Sequence, residues 1–362
     1  MKEMLFVFGT RPEAIKLCPL ILELYQRDSF HVTVAVTGQH REMLAGVLAS
    51  FGVRAQYNLA IMRKGQTLSE ITSAVLEGVS DILERHRFDC VIVHGDTATA
   101  FAASLAAFYM GVRVAHIEAG LRTYDMRAPF PEEFDRRAIA LIADWHFSPT
   151  EVAFDNLVRE GVPQERVFVT GNTGIDALRY AVQSGKKRLF RAKRVLLLTA
   201  HRRENLGNDM RSAFVGIKRA LLLHPDTLLV YPMHKNPSVR KVAQEVFGDC
   251  DRVHLTEPMD YPDFCRLLAE SYLVLTDSGG IQEEAPYFGK PVLVLRDKTE
   301  RPEGVAAGVL RLVGCREERV FAALCELLDQ KELYAAMSHA QSPFGDGHAS
   351  EKIADILKRV LT

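Results

Sequence analysis

Apolar residues come along this chain in short runs, each followed by a longer stretch in which hydrophobic positions recur at helical spacing. In the first half the runs fall at 4–8, 32–36, 90–93, 112–117 and 166–169, and the amphipathic stretches at 14–27, 41–50, 67–85, 98–109 and 132–142. Runs this short have the length of buried strands, whereas the stretches between them carry the period of helices packed on one face. The alternation predicts an α/β fold, a doubly wound parallel sheet. It then begins again, with strands at 195–199, 227–231, 252–255, 272–276 and 291–295 and helices at 209–223, 237–247, 262–270, 280–288 and 317–338. A basic segment between the halves, RYAVQSGKKRLFRAKR at 179–194, reads as a connector. Two domains are therefore expected, 1–178 and 195 onward, each presenting its strand ends to one cleft.

Composition narrows the partners. With 362 residues, 48% hydrophobic and 25% charged, the chain is long enough for two cores. Its formal net charge of −1 supplies no global field for nucleic acid or an anionic membrane, so any anion site must be local. Six cysteines without C-x-x-C spacing suggest neither a zinc knuckle nor a disulfide framework, and fit a reduced cytoplasmic protein. The apolar run between Glu3 and Gly9 is too short for a secretion signal. The uncharged stretch from Thr97 to Val112 falls short of the ~20 residues that span a bilayer and reads as a buried helix.

Chemistry concentrates where strands end. Neither G-x-G-x-x-G nor a P-loop follows any strand, which argues against a bound dinucleotide cofactor and against ATP hydrolysis. Polar clusters stand there instead: Gly9-Thr10-Arg11 with Lys16, His94-Gly95-Asp96, His116 to Arg122, His201-Arg202-Arg203-Glu204, His234-Lys235-Asn236, and Ser278-Gly279-Gly280. Any one of them could be a turn with a helix cap; six on strand C-termini point to a site. Arg11 and Lys16 offer two cations to a diphosphate or form a solvated pair. Asp96 reads equally as an N-cap, while Glu118, followed by Ala119-Gly120, has no such structural duty. Glu132 and Glu133 follow Pro131 at a helix start, where acids favour the dipole in any case. Two arginines beside His201 disfavour its protonated form. Amides at Ser278, Gly279 and Gly280 would cradle a phosphate at a helix N-terminus, and helical spacing sets Glu284 on the face of Gly280, where a carboxylate accepts from ribose hydroxyls. Glu283 faces elsewhere.

These strings carry a resemblance. GTRPEAIK (9–16), HGDT (94–97), HIEAGLRT (116–123), PFPEEFDRR (129–137), TAHRREN (199–205) and DSGGIQEEAPYFGKPVLVLRDKTERPE (277–303) resemble those of the non-hydrolysing UDP-N-acetylglucosamine 2-epimerases, in order and over nearly the whole chain. The resemblance implies a glycosyltransferase-B-like fold of two Rossmann-like domains, 1–178 and 195–345, with a C-terminal helix in 346–362 crossing back to the first. It implies interconversion of UDP-N-acetylglucosamine and UDP-N-acetylmannosamine, without NAD or an essential metal, by elimination of UDP to a bound 2-acetamidoglucal and re-addition. The product would feed cell-envelope polysaccharide, and a homodimer is implied. Asp96, Glu118, Glu132 and His201 carry over as catalytic candidates, with the direction of each proton transfer left open. Arg11, Lys16, Phe264, Ser278, Gly279, Gly280, Glu284 and Arg301 carry over as UDP contacts. Gln39, His40, Arg202 and His234 resemble a second, activating substrate site, from which Glu42 and Gly65 depart. Alternatives of the same fold are a glycosyltransferase, a hydrolysing epimerase that releases free N-acetylmannosamine, and a sugar-nucleotide sensor without turnover.

Overall fold

The structure, a computed structural model, describes residues 1–38, 41–63, 65–183, 190, 192–202 and 206–362. Contacts within the chain divide it into two units, Met1–Ala177 with Gly345–Thr362, and Leu178–Phe344. Seven parallel strands form the first unit's sheet: β1 Lys2–Phe8, β2 Phe30–Val36, β3 Tyr57–Asn58, β4 Cys90–His94, β5 Arg113–Ile117, β6 Trp145–Ser148 and β7 Val167–Val169. Their order, β3-β2-β1-β4-β5-β6-β7, reverses direction between β1 and β4. Doubly wound sheets open a crevice at that reversal, beyond the carboxyl ends of the strands.

The second unit repeats the plan with β8 Arg194–Thr199, β9 Thr227–Pro232, β10 Val253–Thr256, β11 Leu273–Thr276, β12 Val292–Val294 and β13 Leu310–Leu312. Here the order is β10-β9-β8-β11-β12-β13, with the reversal between β8 and β11. The α/β class read from the strand–helix rhythm is thus what the chain adopts, twice. Strands covered by helices on both faces must be apolar on both, which is why β1, β4 and β11 read as unbroken hydrophobic runs.

Local chemistry fixes the helix starts. Thr10 caps Arg11–Tyr25 in a reciprocal box with Glu13, and Thr97 caps Ala98–Tyr109 by accepting from the Ala100 N–H at 3.0 Å. Alanine-rich ATAFAASLAAFY in the latter helix lets it pack closely on Leu68–Arg85. The last helix, Ala349–Val360, returns to the first unit and packs on Arg11–Tyr25. Asp176 receives its first turn, accepting from the backbone N–H of Ala349 at 3.2 Å and of Ser350 at 2.7 Å. Among the described residues no helix is long and apolar enough to cross a membrane.

Several elements depart from the hydrophobic pattern. Strand β6, WHFS, carries a buried His146 and no apolar run, and it exists because β5 and β7 pair with it on either side. Strand β13 and the helices Glu151–Arg159 and Thr173–Gln183 were likewise not evident from periodicity; the second runs past 179, where a connector was expected. The predicted helix 317–338 divides at Gln330 into Glu317–Asp329 and Lys331–His339. Its second part turns so that Tyr334 stacks on Tyr272 at 4.1 Å and donates its hydroxyl to the Tyr272 carbonyl at 2.9 Å.

Candidate active site

Each unit gathers its polar groups at the reversal of its own sheet. In the first, Glu13 is the organiser. One carboxylate oxygen accepts from the Gly9 N–H at 3.1 Å and from the N–H and hydroxyl of Thr10, both at 2.7 Å, while the other accepts from the Thr97 hydroxyl at 2.7 Å. The loop after β1 is thereby tied to the loop after β4. Burial pushes the Glu13 carboxyl up, against the pull of those four donors. Arg11 opens the helix and forms no ion pair among the described residues; one turn later Lys16 pairs with Glu118.

Glu118 leaves the end of β5 in a left-handed conformation, φ +61°, which a β-carbon disfavours. Gly120 follows at φ +92°, so close to the next helix that an added Cβ would lie 2.1 Å from the Ala153 carbonyl oxygen. This sharp turn brings the Glu118 carboxylate back to Lys16 and to within 3.5 Å of His94 Nε2. Burial holds His94 down to about 4, so it faces that carboxylate as a neutral imidazole at neutral pH.

Asp96 is released from capping because Thr97 takes that task. Its carboxylate accepts from Arg136 of the helix Glu132–Ile142. Burial raises the Asp96 pKa; Arg136 opposes the rise, and Glu118 and Glu132 add to it. The two acids after Pro131 have separate fates. Glu133 accepts from the backbone N–H groups of Thr123 at 3.0 Å and Tyr124 at 3.1 Å, a structural task. Glu132 keeps Oε2 buried without a hydrogen bond among the described residues.

Sequence reasoning put His94 in a polar cluster without giving it a role, and singled out neither Arg136 nor Asp135. Asp135 is 4% exposed, its Oδ2 has no hydrogen-bond partner among the described residues, and burial beside Asp96 and Glu132 pushes its carboxyl up to about 7. Because the folded state keeps a proton that the unfolded chain gives up near 3.8, this group's contribution to stability falls as pH rises from about 4 to about 7. Asp135→Asn should therefore gain on the wild type by about 2 kcal/mol between pH 5 and pH 8 in urea unfolding. A difference independent of pH would refute the assignment.

In the second unit, Asp277 closes β11 and is fully buried. Its carboxylate accepts from the backbone N–H of His201, at 3.1 and 3.0 Å to its two oxygens, and of Arg202 at 2.9 Å, fastening the loop after β8. His201 stacks on His234 with ring centroids 5.5 Å apart. Burial, ahead of His234 and Arg202, lowers the His201 pKa, and Asp277 opposes it; the arginine effect read from sequence is thus the lesser cause. Ser278 sits at the N-cap of Gly279–Tyr287 without a side-chain capping bond, its own N–H donating to Thr276 Oγ1 at 2.9 Å.

Two acids, Glu283 and Glu284, stand one turn into a helix whose N-terminus suits an anion, and Arg301 reconciles the first of them with it. Glu283, buried, accepts from Arg301 Nε at 2.6 Å, and the guanidinium carbon lies 3.4 Å from where a Gly279 Cβ would stand. One acid thus aims a cation at the helix N-terminus. Glu284 does lie on the face of Gly280, its Oε1 3.7 Å from a Cβ built there. Phe264 is half-buried in the helix Tyr261–Glu270 and makes no ring contact among the described residues. Gln39 and His40 lie outside the described residues. Gly65 adopts φ +80°, a conformation that suits glycine in place of a longer side chain.

Comparison with known proteins decides the family. Its family model, UDP-N-acetylglucosamine 2-epimerase, matches residues 22–358. The chain belongs to that family. A UDP-N-acetylglucosamine 2-epimerase of Bacillus subtilis is 50% identical over 355 residues, covering 97% of this chain and 93% of its own. The crystal structure of the Neisseria meningitidis UDP-GlcNAc 2-epimerase bound to UDP-GlcNAc is 46% identical, with a TM-score of 0.89 over 99% of this chain and 100% of that one. Similarity of fold alone extends to the glycotransferase of kitacinnamycin, at 16% identity and a TM-score of 0.68 over 100% of this chain and 99% of that one. These neighbours agree with the glycosyltransferase-B-like class expected from the motifs.

Proposed function

We propose that this protein interconverts UDP-N-acetylglucosamine and UDP-N-acetylmannosamine by eliminating UDP and adding it back. The observation that carries the reading is the carboxyl set of the first unit: Glu118 paired with Lys16, Asp96 with a raised pKa, and Glu132 with a buried oxygen that has no hydrogen-bond partner among the described residues. A C2 hydrogen is hardly acidic, so its removal needs a positioned base, and the inverted product needs an acid on the other ring face. In the first step a carboxylate takes the C2 proton, the C1=C2 bond forms and the C1–O bond breaks, with its electron pair leaving on UDP. Re-addition reverses this: the proton returns to the opposite face of C2 and the diphosphate oxygen bonds C1. No carbon undergoes net oxidation, so the step calls for no hydride acceptor.

In the first unit Arg11 and Lys16 are cations suited to a departing diphosphate; in the second, Arg301 and the Ser278, Gly279 and Gly280 amides form an anion site of their own. Glu284 would accept from the ribose hydroxyls and Phe264 would neighbour the uracil. His201 would act beside the reacting carbon or the phosphate, and Arg202 and His234 would contribute to an activating second substrate site. Homodimerisation and residence in the cytoplasm complete the reading; the six free thiols agree with a reducing compartment.

The test is incubation of the purified protein with UDP-N-acetylglucosamine in D2O, followed by NMR of the anomeric and C2 protons. Gluco and manno UDP-sugars carrying deuterium at C2 are the expected products. Free N-acetylmannosamine with UDP would instead reveal the hydrolysing reaction, and an unchanged spectrum would overturn the assignment.

A further inference from the structure

Asp277 fastens the loop after β8 but takes no part in the chemistry proposed above. It is 0% exposed, closes the strand next to β8, and spends both oxygens on the loop that carries His201. One of those oxygens also stands 3.5 Å from His201 Nδ1, an ion-pair separation rather than a formed hydrogen bond. Among the described residues three ionisable groups thus face the imidazole: Asp277 from the end of β11, His234 from the loop after β9, and Arg202 from its own loop. His234 has its own fixed orientation, since its Nδ1 accepts from the Asn236 N–H at 3.1 Å.

We propose that Asp277 is the positioning residue of His201, turning the imidazole Nδ1–H toward its buried carboxylate and leaving Nε2 as the nitrogen that accepts. A carboxylate attracts an N–H and repels a ring lone pair, so of the two neutral tautomers only the Nδ1–H form is favoured on that side. The backbone bonds at 2.9 to 3.1 Å hold the carboxylate in place while it does so. Carboxylates that orient a histidine in this manner fix which nitrogen works, and they act through the ring rather than on the substrate. The proposal uses the epimerase reading only to say where Nε2 is employed.

Asp277→Asn is the informative change. Its single oxygen can still take a backbone N–H, but its amide then donates to Nδ1 and favours the Nε2–H tautomer. In 15N-histidine-labelled protein at pH 8, with the His201 signal assigned by its loss in His201→Gln, long-range 1H–15N correlation should show the Nδ1–H tautomer in the wild type. In Asp277→Asn that signal should move to the Nε2–H pattern, and kcat should fall by about 10²-fold with KM changed only a few-fold, as for a displaced catalytic group. An Nε2–H tautomer in the wild type would overturn the proposal whether or not the variant folds. So would an Asp277→Asn protein that loses activity with its tautomer unchanged, which would mark Asp277 as a loop anchor alone. If the wild type shows no epimerisation yet His201 is Nδ1–H and shifts in the variant, the positioning stands and the epimerase reading fails.

Discussion

Replacing Glu118 by Gln is expected to lower kcat by about 10²–10⁴-fold, the usual worth of a general acid or base, while UDP affinity stays within a few-fold. The substitution is nearly isosteric. Gln meets the left-handed backbone at φ +61° with much the same strain as Glu, and its amide oxygen still accepts from Lys16. What disappears is the capacity to take or give a proton. His94 cannot replace it, because burial holds that imidazole down to about 4 and its Nε2 makes no hydrogen bond among the described residues. Steady-state rates of UDP-sugar epimerisation alongside calorimetric UDP binding separate the outcomes. Activity within a few-fold of wild type would remove Glu118 from the proton-transfer set; loss of activity and affinity together would mean that the change had displaced Lys16.

A second large effect is expected at Gly120, this time on stability. Gly120→Ala places a Cβ 2.1 Å from the Ala153 carbonyl oxygen and 2.7 Å from its carbon, within the backbone of a helix that has no side chain to swing aside. The loop cannot retreat freely either, since Asn156 donates to the Gly120 carbonyl at 3.0 Å and Tyr124 donates to Asn156 at 2.9 Å. Left-handed strain of about 1–2 kcal/mol adds to an overpacking cost of about 1–3 kcal/mol. A fall in melting temperature of roughly 5–15 °C follows for a unit of this size. Gly111 supplies the control: its φ of +67° carries the same conformational strain, but nothing lies within 4 Å of its Cβ. Gly111→Ala should therefore cost only the strain, and equal melting shifts for the two variants would refute the clash. Because Gly120 sits two residues after Glu118, the folded fraction of Gly120→Ala should also turn over slowly.

What the sequence by itself determined was the architecture and the addresses of the chemistry. Strands buried on both faces must be continuous apolar runs, so β1, β4, β8 and β11 announced themselves, and their polar tails marked the crevice ends. Helix periodicity was similarly enough to set Glu284 on the face of Gly280, which the structure shows. Tertiary structure decided the rest, for reasons no local pattern contains. Strand β6 is held by pairing on both sides, not by its own apolar content. Glu132 and Glu133 are adjacent and chemically identical, yet only one finds backbone donors across the loop at Thr123 and Tyr124. Asp135 looks like a solvated acid at a helix start, and Asp277 like the prefix of a glycine turn; burial makes the first a raised carboxyl and sheet adjacency of β8 and β11 makes the second the anchor of His201. Periodicity reports which face of an element is apolar, while a carboxyl's pKa and partners depend on what other elements bring within a few ångströms, and that only the folded chain fixes.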